Sequence, residues 1–127
     1  MGVRRRIPAE QGLPAVAAWQ RAGAAERAAL SRPALAMAVR YALEELSEQA
    51  EGNSVEVRVP PFGVAQCVAG PRHTRGTPPN VIELDAATWL ALATGEVGWD
   101  EARASGSVSA SGLRADLSEH LPLFGTL

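Results

Sequence analysis

The sequence has no lysine, one cysteine and few aromatic residues. Because Cys67 is the one cysteine, an intrachain disulfide is excluded, and its place in the β-like run 64–68 predicts a small buried side chain. No run of about 18 apolar residues is present, so we expect no transmembrane helix. Residues 7–12 follow three arginines without the long apolar stretch that a signal peptide needs, which predicts a cytoplasmic protein.

The charge balance also excludes classes of partner. The formal net charge is -2 and the pI is near 5.7, so there is no excess of positive charge to gather nucleic acid or an anionic membrane. The 127 residues fit a single domain, 1–127, which can bury roughly two thirds of its unfolded surface. An aromatic share of only 5% leaves two alternatives: closely packed backbones, or a core with room for a ligand.

Residue patterns that carry catalysis or bind metal are missing from the sequence. No His-x-x-x-His or Cys-x-x-Cys pair suggests a metal site, and neither a Gly-x-Ser-x-Gly elbow nor a phosphate-binding glycine loop is present. Of the two histidines, His120 has the setting of a structural residue, and His73 lies in a loop. We therefore predict no metal, no cofactor and no enzymatic activity.

Hydrophobic periodicity predicts helices in the first third of the chain. Residues 1–32 form an N-terminal helical extension, with one helix opened by Pro14 over 15–22 and a further turn or two within 24–30. The strongest helix begins at Ser31 and ends near Gly52. Its apolar residues recur at three- and four-residue steps, as expected of a helix packed on a sheet: Leu35, Val39, Leu43, Leu46 and Ala50.

Alternation and turn residues predict four strands, 54–59, 64–68, 80–84 and 107–111. The chain then ends in a predicted amphipathic helix, in which Leu113, Leu117, Leu121 and Phe124 share one stripe. The fold class is therefore α+β, with an antiparallel or mixed sheet of four to five strands and helices packed on one face. The apolar tail 121–127 must pack on the protein's own core, on a neighbouring subunit or on a membrane.

The segment 80–112 carries the clearest signal. Asp85 has the setting of a helix N-cap, and Gly95 and Gly106 suit the left-handed residues that end two successive helices. The runs Leu92-Ala-Thr-Gly95 and Ala104-Ser-Gly106 at this spacing resemble the C-terminal half of the sterol carrier protein type 2 (sterol-binding) domain family. The best match covers residues 80–124, and the run 70–79 resembles a small actinobacterial branch of sterol carrier family proteins.

This resemblance implies a non-catalytic protein that binds or transfers a hydrophobic ligand in a cavity between sheet and helices. The ligand would be a fatty acid, an acyl-CoA or a sterol-like lipid, and a chain this short between its first hairpin and residue 80 favours an acyl tail over a sterol. Nine positions would form the apolar lining: Trp89, Leu90, Leu92, Ala93, Val108, Ala110, Leu117, Leu121 and Phe124.

A polar constellation, Arg72-His73-Thr74-Arg75, lies in a loop stiffened by Pro71, Pro78 and Pro79. Guanidinium and imidazole groups at this spacing could clamp the carboxylate or phosphate of a ligand, so Arg72, His73 and Arg75 are a candidate anionic headgroup site. The alternative is a solvated loop whose arginines bond backbone carbonyls.

Two other classes of protein stay open. The chain could be an interaction module without a ligand, whose apolar tail docks into a partner. It could also be an accessory module similar to the sterol-carrier-like domain attached to mycothiol-dependent enzymes. Its expected partner is otherwise a hydrophobic small molecule or lipid. The apolar tail also leaves open a transient membrane contact or a homodimer.

Overall fold

The computed structural model describes residues 5–71 and 80–127. Within these ranges the helices and strands follow one another in the order α1, α2, α3, β1, β2, β3, α4, α5 and β4. Their bounds are α1 Ala9–Arg21, α2 Ala24–Ala28, α3 Arg32–Gln49, β1 Val55–Val59, β2 Gly63–Cys67, β3 Val81–Leu84, α4 Ala86–Ala93, α5 Trp99–Ala104 and β4 Val108–Ser111.

The four strands form one mixed sheet in the order β2-β1-β3-β4. β1 pairs with β2 and β3 pairs with β4 antiparallel, whereas β1 and β3 run parallel. In β1 every second residue is fully buried, while Glu56 and Arg58 point to the other face and form an ion pair there. The helices pack on the buried face, so the predicted α+β fold is confirmed.

Local chemistry fixes the ends of the central helices as predicted. The Ser31 Oγ accepts a hydrogen bond from the Ala34 N–H at 3.2 Å and opens α3, and an Asp85 carboxylate oxygen accepts one from the Thr88 N–H at 2.8 Å and opens α4. Gly95, with a φ of +80°, follows α4 in the left-handed conformation.

The first helix is longer than predicted. It begins at Ala9, and Pro14 lies inside it instead of opening it. Tertiary packing explains the difference, because α1 lies flat on α3 and buries Gly12, Val16 and Trp19. At Gly12 the contact is so close that an added Cβ would lie 2.0 Å from the Tyr41 ring.

The predicted C-terminal helix is wrong. Residues 112–127 form turns and extended chain, and Leu113, which the helix would have placed on its apolar stripe, is fully exposed at 104%. Local bonds compete with a helix here, since the Asp116 carboxylate accepts from the Ser118 N–H at 2.8 Å. Further along, the N–H groups of Leu123 and Phe124 both donate to the Ala93 carbonyl, at 2.9 and 3.1 Å.

Tyr41 of α3 connects both ends of the described chain. The Arg5 guanidinium lies 4.7 Å from the centre of the Tyr41 ring, and the Phe124 ring stacks against it at 6.1 Å between centroids. Leu123 and Phe124 are buried in the chain's own core. None of the helices in the described ranges is long and apolar enough to cross a membrane; the cytoplasmic location stays a prediction.

Candidate functional site

A groove of about 850 Å³ lies between α3 and the hairpin of β1 and β2. Its long wall is a second stripe of α3, beside the stripe that faces the core. The residues of this second stripe are Pro33, Ala36, Met37, Arg40, Glu44 and Ser47. Pro33 and Ser47 are fourteen residues apart, and a helix rises 1.5 Å per residue, so the groove is about 21 Å long.

The opposite wall is the edge strand β2 with the turn before it. The Glu56 N–H donates to the Asn80 carbonyl beside β3, so the backbone groups of Glu56 face β3 and those of the residues on either side of it face β2. In β2, the backbone groups of Val64 and Gln66 therefore point away from the sheet. The Ser47 Oγ donates to the Gln66 carbonyl at 2.8 Å. Helix α3 therefore bonds one outward carbonyl of this edge strand while it forms the groove.

Arg40 fixes the other end of this wall. Its Nε donates to the Phe62 carbonyl at 2.8 Å, and the Arg32 guanidinium lies 5.7 Å from the centre of the Phe62 ring. The apolar surface between the two walls is supplied by Ala36, Met37, Leu43, Phe62 and Ala65. The central part of the groove is therefore apolar, and its wall carries cations.

The N-terminal segment closes one side of the groove. A Glu44 carboxylate oxygen accepts hydrogen bonds from the backbone N–H groups of Arg6, at 3.0 Å, and Ile7, at 3.1 Å. Arg5 holds the same segment to α3 through ion pairs with Glu45 and Glu48. Arg6 and Ile7 are thereby placed along the groove beside the α3 stripe.

Three arginines in or beside the groove have no anionic partner among residues 5–71 and 80–127. Arg6, Arg32 and Arg40 form no ion pair within the described residues, unlike Arg5, Arg27 and Arg58. Arg6 and Arg40 line the groove directly, together with the single carboxylate of Glu44. This arrangement suits a ligand with an apolar body and an anionic end.

The described residues supply little for catalysis. No group of three or more His, Cys, Asp or Glu side chains in residues 5–71 and 80–127 could hold a metal ion. Cys67 is buried as predicted, and the burial raises the pKa of its thiol to about 12, so the reactive thiolate is scarce at neutral pH.

The nine residues predicted to line a cavity lie elsewhere. Seven of them are buried in the main core, namely Trp89, Leu90, Leu92, Ala93, Val108, Leu117 and Phe124, and Ala110 and Leu121 are half-buried against it. The Trp89 indole N–H is satisfied by the Val39 carbonyl at 3.3 Å. None of the nine lines the groove. Their role in a ligand site stays a prediction.

The candidate headgroup residues Arg72, His73 and Arg75 lie outside the described residues, and their role also stays a prediction. Sequence reasoning missed the groove stripe of α3. A signal was available, because Pro33, Ala36, Met37 and Arg40 recur at three- and four-residue steps beside the core stripe. What the sequence does not show is that β2 lies alongside this stripe.

Comparison with known proteins gives one family match. The sequence model of a family described as "Bacterial SCP ortholog" matches residues 31–123, which run from the start of α3 into the tail and include most of the groove. A search among curated proteins found no match. The family match spans most of the chain and includes the segment whose motifs resembled the sterol-binding domain. The chain therefore belongs to the bacterial SCP ortholog family, a family of sterol carrier protein-like domains.

Proposed function

We propose that this domain is a non-catalytic carrier that binds an anionic lipid, with its acyl chain lying along the groove between α3 and β2. Membership of a sterol carrier protein-like family indicates a lipid-binding domain. The observation that carries the finer proposal is the apolar groove of about 850 Å³. Small-molecule sites generally measure about 300–1,000 Å³ and are mostly apolar with a few polar groups.

The length of the groove predicts how affinity depends on the acyl chain. Each buried methylene contributes about 0.8 kcal/mol of binding free energy, which is at most about a fourfold gain in affinity. The gain should continue while the chain is shorter than the groove, about 21 Å, and then level off. Because the groove is open along one side, the gain per methylene should fall below this upper value.

The groove arginines, which form no ion pair with any described residue, predict a preference for a ligand with an anionic end. Arg40 is the best-placed partner, since its Nε already bonds the Phe62 carbonyl and its remaining N–H groups are available to a carboxylate or phosphate. Arg40→Gln should weaken a fatty acid about tenfold and leave an alcohol of equal length nearly unchanged. Binding of the same fatty acid and alcohol to Arg75→Ala tests the candidate headgroup loop that was predicted from the sequence.

A binding experiment can test the groove directly. Met37→Glu places a carboxylate among the apolar residues of the groove, where it should lower the affinity for a fluorescent fatty acid at least tenfold. Met37 is half-buried, so the fold should tolerate the change. Ala34→Glu is a matched control, because it adds the same charge to the same helix at an exposed position outside the groove.

The outcome distinguishes the groove from the core positions predicted from sequence. A photoreactive fatty acid should label peptides from α3 and β2; labelling of α4 and β4 would instead support a cavity around Trp89 and Leu92. Equal binding by wild type and Met37→Glu would contradict the groove. If no acyl ligand binds the wild type, the carrier proposal fails and the accessory-module alternative becomes the better one.

A further inference from the structure

The wall of the groove that residues 5–7 form is attached to α3 by carboxylates. The backbone N–H groups of Arg6 and Ile7 donate to the same Glu44 carboxylate oxygen, at 3.0 and 3.1 Å. Arg5 adds ion pairs with two further carboxylates of the helix. Contacts of this kind near the protein surface contribute little each, so the segment can detach from α3 at a small cost in free energy.

Glu44 is a carboxylate inside a groove that we propose binds an anion. It is the one acidic residue among the described residues that line the groove. A free carboxylate there would repel the anionic end of a ligand. In the structure two N–H groups donate to it, and these bonds offset part of its negative charge. The charge of Glu44 is therefore used to hold the wall of the groove.

The same bonds bring a second cation close to Arg40. Arg40 lies one turn before Glu44 on α3, and residues four apart in a helix face the same side. Arg6 is held at Glu44 by its own backbone, and both arginines line the groove. Neither forms an ion pair with any described residue. The two guanidinium groups are therefore placed to contact the same carboxylate or phosphate.

We propose that Glu44 is a positioning residue for the anionic lipid. By holding residues 5–7 on α3 it keeps Arg6 beside the anionic end of the ligand and keeps its own carboxylate occupied. Detachment of the segment would remove one cation from the groove and leave a free carboxylate there. The attached form should therefore bind the lipid more tightly, and the lipid should in turn favour attachment. The inference rests on the proposed function, because it concerns the same groove.

Two substitutions at Glu44 separate this role from a simpler one. Glu44→Gln keeps an oxygen that accepts both N–H groups, so the segment and Arg6 should stay in place. Glu44→Ala removes the acceptor and should weaken the binding of a fluorescent fatty acid about fivefold, through the loss of Arg6 from the groove. If Glu44 only repelled the ligand, both variants would bind the fatty acid more tightly than the wild type. We expect Glu44→Gln to bind at least as tightly as the wild type and Glu44→Ala to bind more weakly.

A double-mutant cycle tests whether Glu44 acts through Arg6. Arg6→Gln keeps the backbone N–H groups that hold the segment, so by itself it should weaken the fatty acid about fivefold. In the Glu44→Ala background the same substitution should change the affinity by less than about twofold, because Arg6 has already left the groove. Arg103→Gln is the matched control, since it removes the same charge from an exposed position of α5 outside the groove. It should leave the affinity nearly unchanged in both backgrounds.

The attachment of the segment can also be measured without a ligand. The NMR order parameters of Arg6 and Ile7 should be those of a rigid backbone, about 0.85, in the wild type and in Glu44→Gln. In Glu44→Ala they should fall below about 0.6, while far-UV circular dichroism shows the same fold in all three proteins. Order parameters that stay unchanged in Glu44→Ala would contradict the role of Glu44 in the attachment.

The binding results separate a failure of this inference from a failure of the proposed function. The positioning role is overturned if Glu44→Ala binds the fatty acid as tightly as the wild type, or if Glu44→Ala and Glu44→Gln lose affinity equally. A loss from Arg6→Gln that is the same in both backgrounds would also overturn it. Each of these results needs a wild type that binds the fatty acid, so the proposed function would stand. A wild type that binds no acyl ligand would overturn the proposed function and this inference with it.

Discussion

Truncation of Phe124 to alanine should show whether the C-terminal tail belongs to the core. Phe124 is only 8% exposed, its N–H donates to the Ala93 carbonyl and its ring stacks against Tyr41. Phe→Ala substitutions in cores cost about 3–5 kcal/mol through lost transfer energy and the cavity that remains. Because this ring lies at the edge of the core and the backbone bond survives, we expect about 3 kcal/mol.

That loss would be a large part of the stability of a domain of this size, which is generally about 5–15 kcal/mol. Urea unfolding should report it cleanly through the fluorescence of three buried tryptophans, Trp19, Trp89 and Trp99. The melting temperature should fall by roughly 10 °C. Leu113→Ala is the control, because this exposed leucine should change the free energy of unfolding by no more than about 0.5 kcal/mol.

A loss below about 1 kcal/mol for Phe124→Ala would refute this reasoning. It would mean that the tail leaves the core in solution, where it could serve the homodimer or membrane contact that the sequence left open. The structure gives neither contact any support, because Leu123 and Phe124 are packed inside the chain itself.

Three further predictions concern single side chains. The hydrogen bond from Arg27 lowers the pKa of Glu96, so Glu96→Gln should cost less than about 1 kcal/mol at pH 7, the pair being partly exposed. The stability from a lowered carboxyl pKa is present above the unfolded value of 4.5 and is lost as the pH falls through the folded pKa, so the difference in urea unfolding between wild type and Glu96→Gln should shrink as the pH is lowered below 4.5. Cys67 should react with a thiol reagent at pH 8 only as fast as the protein unfolds, whereas rapid labelling in native buffer would contradict its burial. Asp85→Ala should lose about 1 kcal/mol in thermal unfolding because the Thr88 N–H loses its acceptor; Asp85→Asn should keep most of it.

The sequence predicted the elements whose ends depend on neighbouring residues. Ser31 and Asp85 accept hydrogen bonds from N–H groups three residues away, and Gly95 has the left-handed conformation its position suggested. Such local signals can be recognised from neighbouring residues without knowledge of the fold. The strand alternation of β1 was equally local, and it predicted a strand over 54–59 where the structure has one over Val55–Val59.

Long-range contacts explain what the sequence did not predict. The tail follows a helical spacing, yet the N–H groups of Leu123 and Phe124 find their acceptor at Ala93, in another element. The groove depends on which strand lies beside Met37 and Ala36, and periodicity along α3 does not contain that information. The family resemblance pointed to the right kind of protein. Photolabelling with a fatty acid distinguishes the proposed groove from the core around Trp89.

The shared contact at Tyr41 has a consequence for local opening of the structure. Arg5 and Phe124 touch the same ring from distant points in the sequence, and Gly12 brings α1 against it. When the tail lifts away, the ring loses one of its supports, and the N-terminal segment should loosen with it. Amide hydrogen exchange in residues 5–8 and 121–127 should therefore rise together, as one cooperative unit, when Tyr41 is replaced by leucine.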